Sequence, residues 1–215
     1  MSNNFENFNN LEDNIRKSSV VQERTGLVAV YMYKHFLDFQ KSNQNTQDVF
    51  VRMIQIMNQV VDNLKQLFNM RNIPSGNVYC EVDSTRTVAT INILWRTISF
   101  TSRFNVSPKG YERQGQNTII CGRIFAINGN YSHLMQGITD YDEQMKILLK
   151  REIASLYVPA EKNQNAIMTI RDKYNEESLI PNADASRDFL LKVIEMVCAG
   201  GELHEQQPKP KFFEM

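Results

Sequence analysis

The chain contains few of the residues from which metal, disulfide and cofactor sites are built. Among its 215 residues there are only 3 Cys, 3 His and 9 Gly. Cys80, Cys121 and Cys198 stand far apart without a Cys-x-x-Cys pair, which argues against a disulfide scaffold and indicates a reducing compartment. Neither of the common glycine-rich phosphate loops, GxxxxGKS/T and GxGxxG, occurs. We therefore predict no cofactor and no metal ion.

The chain also lacks a long apolar run and an excess of charge of either sign. No stretch approaches the ~20 apolar residues of a membrane span, and residues 1–8 do not resemble a signal peptide. We expect a soluble protein of cytoplasmic origin, or one that belongs to a virion, with no membrane partner. The 24 basic and 24 acidic residues cancel. A chain without net charge is not a general binder of nucleic acid, so local charge has to be considered instead.

The apolar residues follow a helical period first, a strand period next and a helical period again. Three-and-four spacing from Phe50 to Phe68 predicts a helix, and residues 27–33 are apolar on all sides, which predicts burial. Alternation predicts strands from Val78 to Trp95, with a bulge or tight turn near Arg96 where the parity changes. After residue 139 helical spacing returns.

This order predicts an α+β fold with N-terminal helices, a central antiparallel sheet of about four strands, and C-terminal helices. We expect Gly26 and the polar segment 42–46 to interrupt the first helical region. The expected organisation is an N-terminal extension at 1–10, a single domain at 11–201 and an extended C-terminal tail at 202–215. Within the domain we place helices at 11–73, strands at 77–128 and helices at 139–200.

Candidate catalytic and metal-binding residues all have a simpler structural explanation. Cys121 and His133 are the nearest nucleophile and base along the chain, but Cys121 lies among isoleucines, where burial makes a thiol inert. Asp140 and Asp142 could bind a cation, yet they occupy a predicted helix start, which stabilises acids without an ion. We therefore predict a protein that is not an enzyme. An enzyme with an acidic site that no motif reveals is the third hypothesis.

The strand region carries a local positive charge that the total conceals. Residues 84–128 hold six basic residues and one acid, a net charge of +5, interleaved with aromatics. Such a face binds single-stranded nucleic acid when bases stack on rings and arginines follow the phosphates, or it meets an acidic protein partner. The residues of this predicted face are Arg86, Arg96, Arg103, Lys109, Tyr111, Arg113 and Arg123. A single-stranded nucleic-acid-binding protein is accordingly the alternative hypothesis.

The two ends of the chain suggest contacts with other subunits. Pro208-Lys-Pro210 favours an extended tail that ends in Phe212 and Phe213, and Phe5 and Phe8 lie near the other end. We expect these four Phe residues to anchor neighbouring subunits of a homo- or hetero-oligomer. The leading hypothesis is a non-enzymatic structural or assembly component of a larger complex. A viral or phage particle is its expected setting, because asparagine is dispersed throughout and catalytic motifs are absent.

Overall fold

The computed structural model describes residues 3–103, 121–171 and 177–199. The helices are α1 (Asn3–Met70), α2 (Tyr131–Leu134), α3 (Tyr141–Arg151) and α4 (Ala185–Cys198). The strands are β1 (Val78–Val82), β2 (Val88–Ile93), β3 (Arg96–Thr101), β4 (Cys121–Asn128), β5 (Glu152–Pro159), β6 (Ala166–Ile170) and β7 (Glu177–Ile180). The combination of helices with an antiparallel sheet confirms the α+β class.

All seven strands belong to one antiparallel sheet in which spatial order equals chain order. The turn between β2 and β3 explains the change in apolar parity. Ile93 pairs with Arg96, so the turn consists of only Leu94 and Trp95, and Leu94 adopts the left-handed conformation with φ 57°. Odd positions of β2 therefore face the same side as even positions of β3. The turn lies two residues before the site near Arg96 and Thr97 that the change in parity predicts.

One face of the sheet carries the main core, which α1 and α4 cover. In α1 the buried residues recur at three-and-four spacing from Val49 to Val61, as the sequence predicts. α4 contributes Phe189, whose ring meets that of Phe100 edge-on with centroids 6.0 Å apart. Buried side chains from all seven strands complete the layer: Val78, Ala89, Ile91, Ile98, Phe100, Ile124, Ala126, Leu156, Val158, Met168 and Ile180.

The opposite face has a smaller apolar cluster beneath the segment that contains α2 and α3. Its buried members are Val88, Phe125, Ile127, Tyr131 and Leu148. Polar groups complete this layer, because the Ser99 hydroxyl donates to the Gly129 carbonyl and accepts from the Tyr131 backbone N–H, at 2.8 and 2.9 Å. The central strands are consequently buried on both faces.

Burial on both faces explains why the sequence predicts about four strands where the structure has seven. Residues 152–159, 166–170 and 177–180 are strands, within a region predicted to be helical. Six of the eight β5 residues are buried, so β5 has no exposed face on which polar residues would alternate with buried apolar ones. Met145, Leu148, Leu149 and Ile153 happen to continue a helical spacing into it. The helix in fact ends at Arg151.

α1 is continuous through both predicted interruptions and begins inside the segment predicted to be an extension. It runs for 68 residues, or ~100 Å at 1.5 Å per residue. The polar segment does not break the helix because its side chains bond to the sheet. Ser42 donates to the Val158 carbonyl at 3.4 Å and Asn45 to the Pro159 carbonyl at 2.8 Å.

Candidate interaction surface

The first part of α1 extends away from the sheet and exposes large apolar side chains. We call residues 19–41 the arm. Burial by the sheet begins at Ser42, which is 2% exposed. The exposed large apolar residues of the arm are Val20, Val21, Leu27, Val28, Val30, Tyr31, Met32, Tyr33, Phe36 and Leu37. The part of the chain that the structure describes does not provide the burial predicted for residues 27–33.

The apolar area of the arm exceeds what monomeric proteins expose. The ten side chains present roughly 1,000 Å², taking about 100 Å² for each large apolar or aromatic group at this exposure. The largest apolar patch on a typical monomer covers about 300–600 Å². A standard protein–protein interface buries about 800 Å² from each partner. The arm alone therefore has the area of an interface.

Contacts at the base of the arm fix the direction in which it leaves the sheet. Lys41 pairs with Glu161 at 3.3 Å, and two turns later Asp48 pairs with Lys162 at 3.1 Å. The hydrogen bond from Lys162, supported by another from Gln44, lowers the pKa of Asp48. Both pairs connect α1 to the loop between β5 and β6. The arm is thus a rigid continuation of a helix that is anchored at its base.

The charged residues of the arm lie along one side of the helix. At 100° per residue, Glu23, Arg24, Lys34, Asp38 and Lys41 fall within a sector about 100° wide, which we call the charged side. The opposite sector is about 180° wide and contains no charge. We call it the apolar side, and its large exposed residues are Val21, Val28, Met32, Tyr33, Phe36 and Leu37.

Two arginines of the predicted basic face are already paired with carboxylates. Arg103 Nη2 donates to Asp83 Oδ2 at 2.9 Å, and Arg103 Nε donates to the Thr87 hydroxyl at 2.9 Å. The guanidinium also lies 5.6 Å from the centre of the Tyr131 ring. Partial burial alone would raise the pKa of Asp83. Hydrogen bonds from Thr85, from the backbone of residues 87 and 88, and from Arg103 outweigh that effect and lower it to about 2.

The low pKa of Asp83 gives a prediction for stability in acid. The carboxylate titrates near 3.9 when the chain is unfolded and near 2 when it is folded, so its stabilisation is complete above about pH 4 and is lost as the pH falls toward 2. Asp83→Asn should be less stable than the wild type at pH 7 in urea unfolding, with the difference shrinking between pH 4 and pH 2. A difference that stays constant down to pH 2 would contradict this assignment.

Arg123 forms the second pair, on the same face of the sheet. Its Nη2 donates to Glu152 Oε1 at 2.7 Å and its Nε donates to the Ser155 hydroxyl at 2.8 Å. The guanidinium stacks 3.9 Å from the Phe125 ring centre and 5.2 Å from that of Tyr157, its cross-strand partner. The side chains of Arg123 and Glu152 are 15% and 6% exposed. This arginine is largely buried and makes both of these hydrogen bonds within the protein.

The remaining residues of the predicted basic face are dispersed. Arg86 lies in the β1–β2 turn with φ 54°, whereas Arg96 begins β3 next to Trp95. Arg86 and Arg96 are therefore at opposite ends of β2. Lys109, Tyr111 and Arg113 lie outside the described residues. Within the described part, less free positive charge is available than the count of +5 indicates.

The predicted anchors at the chain ends are only partly covered by the structure. Phe5 and Phe8 belong to α1, but their side chains are outside the described part, as are Phe212 and Phe213 altogether. Their contacts with other subunits stay a prediction. The sequence did draw attention to residues 27–33 of the arm, because they are apolar on all sides. It gave no sign that the rest of the chain leaves them exposed.

The structure does not bring the candidate catalytic residues together. Cys121 begins β4 and His133 follows its end, ~25 Å along an eight-residue strand. Burial raises the pKa of the Cys121 thiol to about 11. Asp140 caps α3, where its side chain accepts from the Glu143 backbone N–H at 2.9 Å.

Searches for other kinds of site and for related proteins were negative. In the ranges that the structure describes, no three His, Cys, Asp or Glu side chains are grouped so as to hold a metal ion. None of the described helices combines the length and apolarity of a membrane span. Comparison with protein-family models, curated proteins and solved structures found no significant match. The arm is therefore assessed on its own geometry.

Proposed function

We propose that the chain is a non-enzymatic structural or assembly component of a larger protein complex, with a viral or phage particle as its setting. The observation that carries this proposal is the arm. A helix with ten large exposed apolar side chains costs solubility unless a partner covers it. Its base is fixed to the sheet by ion pairs and hydrogen bonds, so the apolar surface is held out from the domain.

In this proposal the two parts of the protein have different tasks. The sheet with its two helices is a stable body, and the arm is the element that docks. The predicted Phe anchors at 5, 8, 212 and 213 would add further contacts between subunits. The paired states of Arg103 and Arg123 are the reason for ranking the nucleic-acid hypothesis below this one.

Sedimentation of the protein from the cells that produce it tests the proposal. The wild-type chain should sediment in a large assembly, and Val28→Glu/Met32→Glu should shift at least tenfold more of it to the slow fraction, because two charges would have to be buried. Trp95→Glu is the control. Trp95 is 80% exposed but lies in the β2–β3 turn, away from the arm. Retention of the arm variant in the assembly, or slow sedimentation of the wild type, would contradict the proposal.

A further inference from the structure

We infer that the arm packs with the arms of three other copies of this chain, in an antiparallel four-helix bundle. The inference rests on the proposed function, because it names the partner of the same surface. Two features of the arm support it independently: the sizes of side chains that would face each other, and the width of its apolar side.

Side-chain sizes favour antiparallel neighbours that are related by a twofold axis at Tyr31. With the axis at Tyr31, Phe36 lies level with Gly26 of the neighbour, and Tyr33 with Ala29, so each large ring meets a small residue. A Cβ built on Gly26 has no atom within 4 Å in the single chain, so nothing inside the chain requires glycine there. Glycine in the interior of a helix costs about 1 kcal/mol relative to alanine. Accommodation of Phe36 from a neighbour explains why a glycine occupies this position.

The width of the apolar side sets the number of arms. Antiparallel pairing of identical chains by twofold axes gives an even number. Two helices alone bury only a narrow seam, whereas the apolar side of the arm spans about 180°. In a four-helix bundle each helix contacts two neighbours and the centre, which covers a wider sector. The charged side then faces water.

Native mass spectrometry of the purified full-length chain at ~10 µM tests the inference. The expected mass is about 100 kDa, four times the 25.0 kDa of one chain. A mass near 25 or 50 kDa would overturn it. If the purified chain is monomeric but the arm-dependent assembly is still found in cells, only this inference fails. If both are absent, the proposed function fails as well.

Matched substitutions distinguish a specific bundle from general apolar association. Met32→Glu on the apolar side should raise the concentration at which half the protein is assembled at least tenfold. Leu27→Glu on the charged side should change it less than threefold, although the two residues are similarly exposed at 60% and 66%. Equal effects of the two substitutions would overturn the assigned face.

Gly26→Leu adds apolar area and helix propensity. It should nevertheless raise the concentration at which half the protein is assembled at least tenfold, because the new side chain collides with Phe36 of the neighbour. Gly26→Leu/Phe36→Ala should restore assembly. Stronger assembly of Gly26→Leu alone would overturn the antiparallel register. Circular dichroism of each variant, with helix content equal to or above that of the wild type, ensures that loss of assembly is not loss of fold.

Discussion

Gly122→Ala is expected to lower the free energy of unfolding by about 3 kcal/mol, the upper part of the range for overpacking a buried site. Gly122 lies in β4 where α1 crosses it, and a Cβ added there would be 1.9 Å from Thr46 Oγ1 and 2.9 Å from Thr46 Cβ. Rotation of the Thr46 side chain would move the hydroxyl but not the Cβ. The helix itself would therefore have to move away from the sheet. Urea unfolding monitored by circular dichroism measures the loss.

Two further variants identify the cause of that loss. Gly122→Ala/Thr46→Ala should recover part of the stability, because it removes the hydroxyl and the methyl group that collide with the new Cβ. Gly76→Ala should stay within about 0.5 kcal/mol of the wild type, since no atom lies within 4 Å of its added Cβ. A Gly122→Ala protein as stable as the Gly76→Ala protein would show that α1 and β4 are not in close contact.

Glu152→Ala is expected to cost about 3–5 kcal/mol of stability, the usual result of leaving a buried charge without its partner. Arg123 is only 15% exposed, and Glu152 supplies its opposite charge at 2.7 Å. The contacts of the guanidinium with Phe125 and Tyr157 remain in the variant but do not neutralise it. The change in the free energy of unfolding is measured at pH 7.

Removing both charges tests whether the loss of stability in Glu152→Ala comes from an unpaired charge or from lost packing. Arg123→Met/Glu152→Leu should be close to the wild type in stability, because apolar residues of similar size replace buried pairs at little cost. Glu161→Ala is the control that breaks an exposed ion pair, because the side chains of Glu161 and Lys41 are 55% and 57% exposed. It should change stability by at most about 1 kcal/mol. If the double variant were as unstable as Glu152→Ala, the loss would come from packing and not from an unpaired charge.

Local patterns predict those elements that have one buried face and one wet face. The helix from Phe50 to Phe68 and the strand from Val78 show regular spacing, because only one side of each packs on the core. β5 has no such contrast, since it is buried on both faces, and its apolar run continues the spacing of α3. The two elements cannot be separated by periodicity alone.

The polar segment 42–46 shows that local patterns also fail to predict where a helix ends. Ser, Asn and Thr compete for backbone hydrogen bonds, and for that reason they predict a break. In the folded chain Ser42 and Asn45 instead donate to the carbonyls of Val158 and Pro159, more than a hundred residues away. Their role depends on contacts that no local window contains.

The sequence by itself determined the α+β class, the helical core stripe of α1, and the presence of a segment at 27–33 too apolar to stay in water. Only the tertiary structure decided that this segment lies beyond the sheet and that the described part of the chain leaves it exposed. It also decided that Arg103 and Arg123 are paired with acids. The physical reason is the same in each case: composition and period are local, whereas burial and charge neutralisation depend on residues that are distant in the chain.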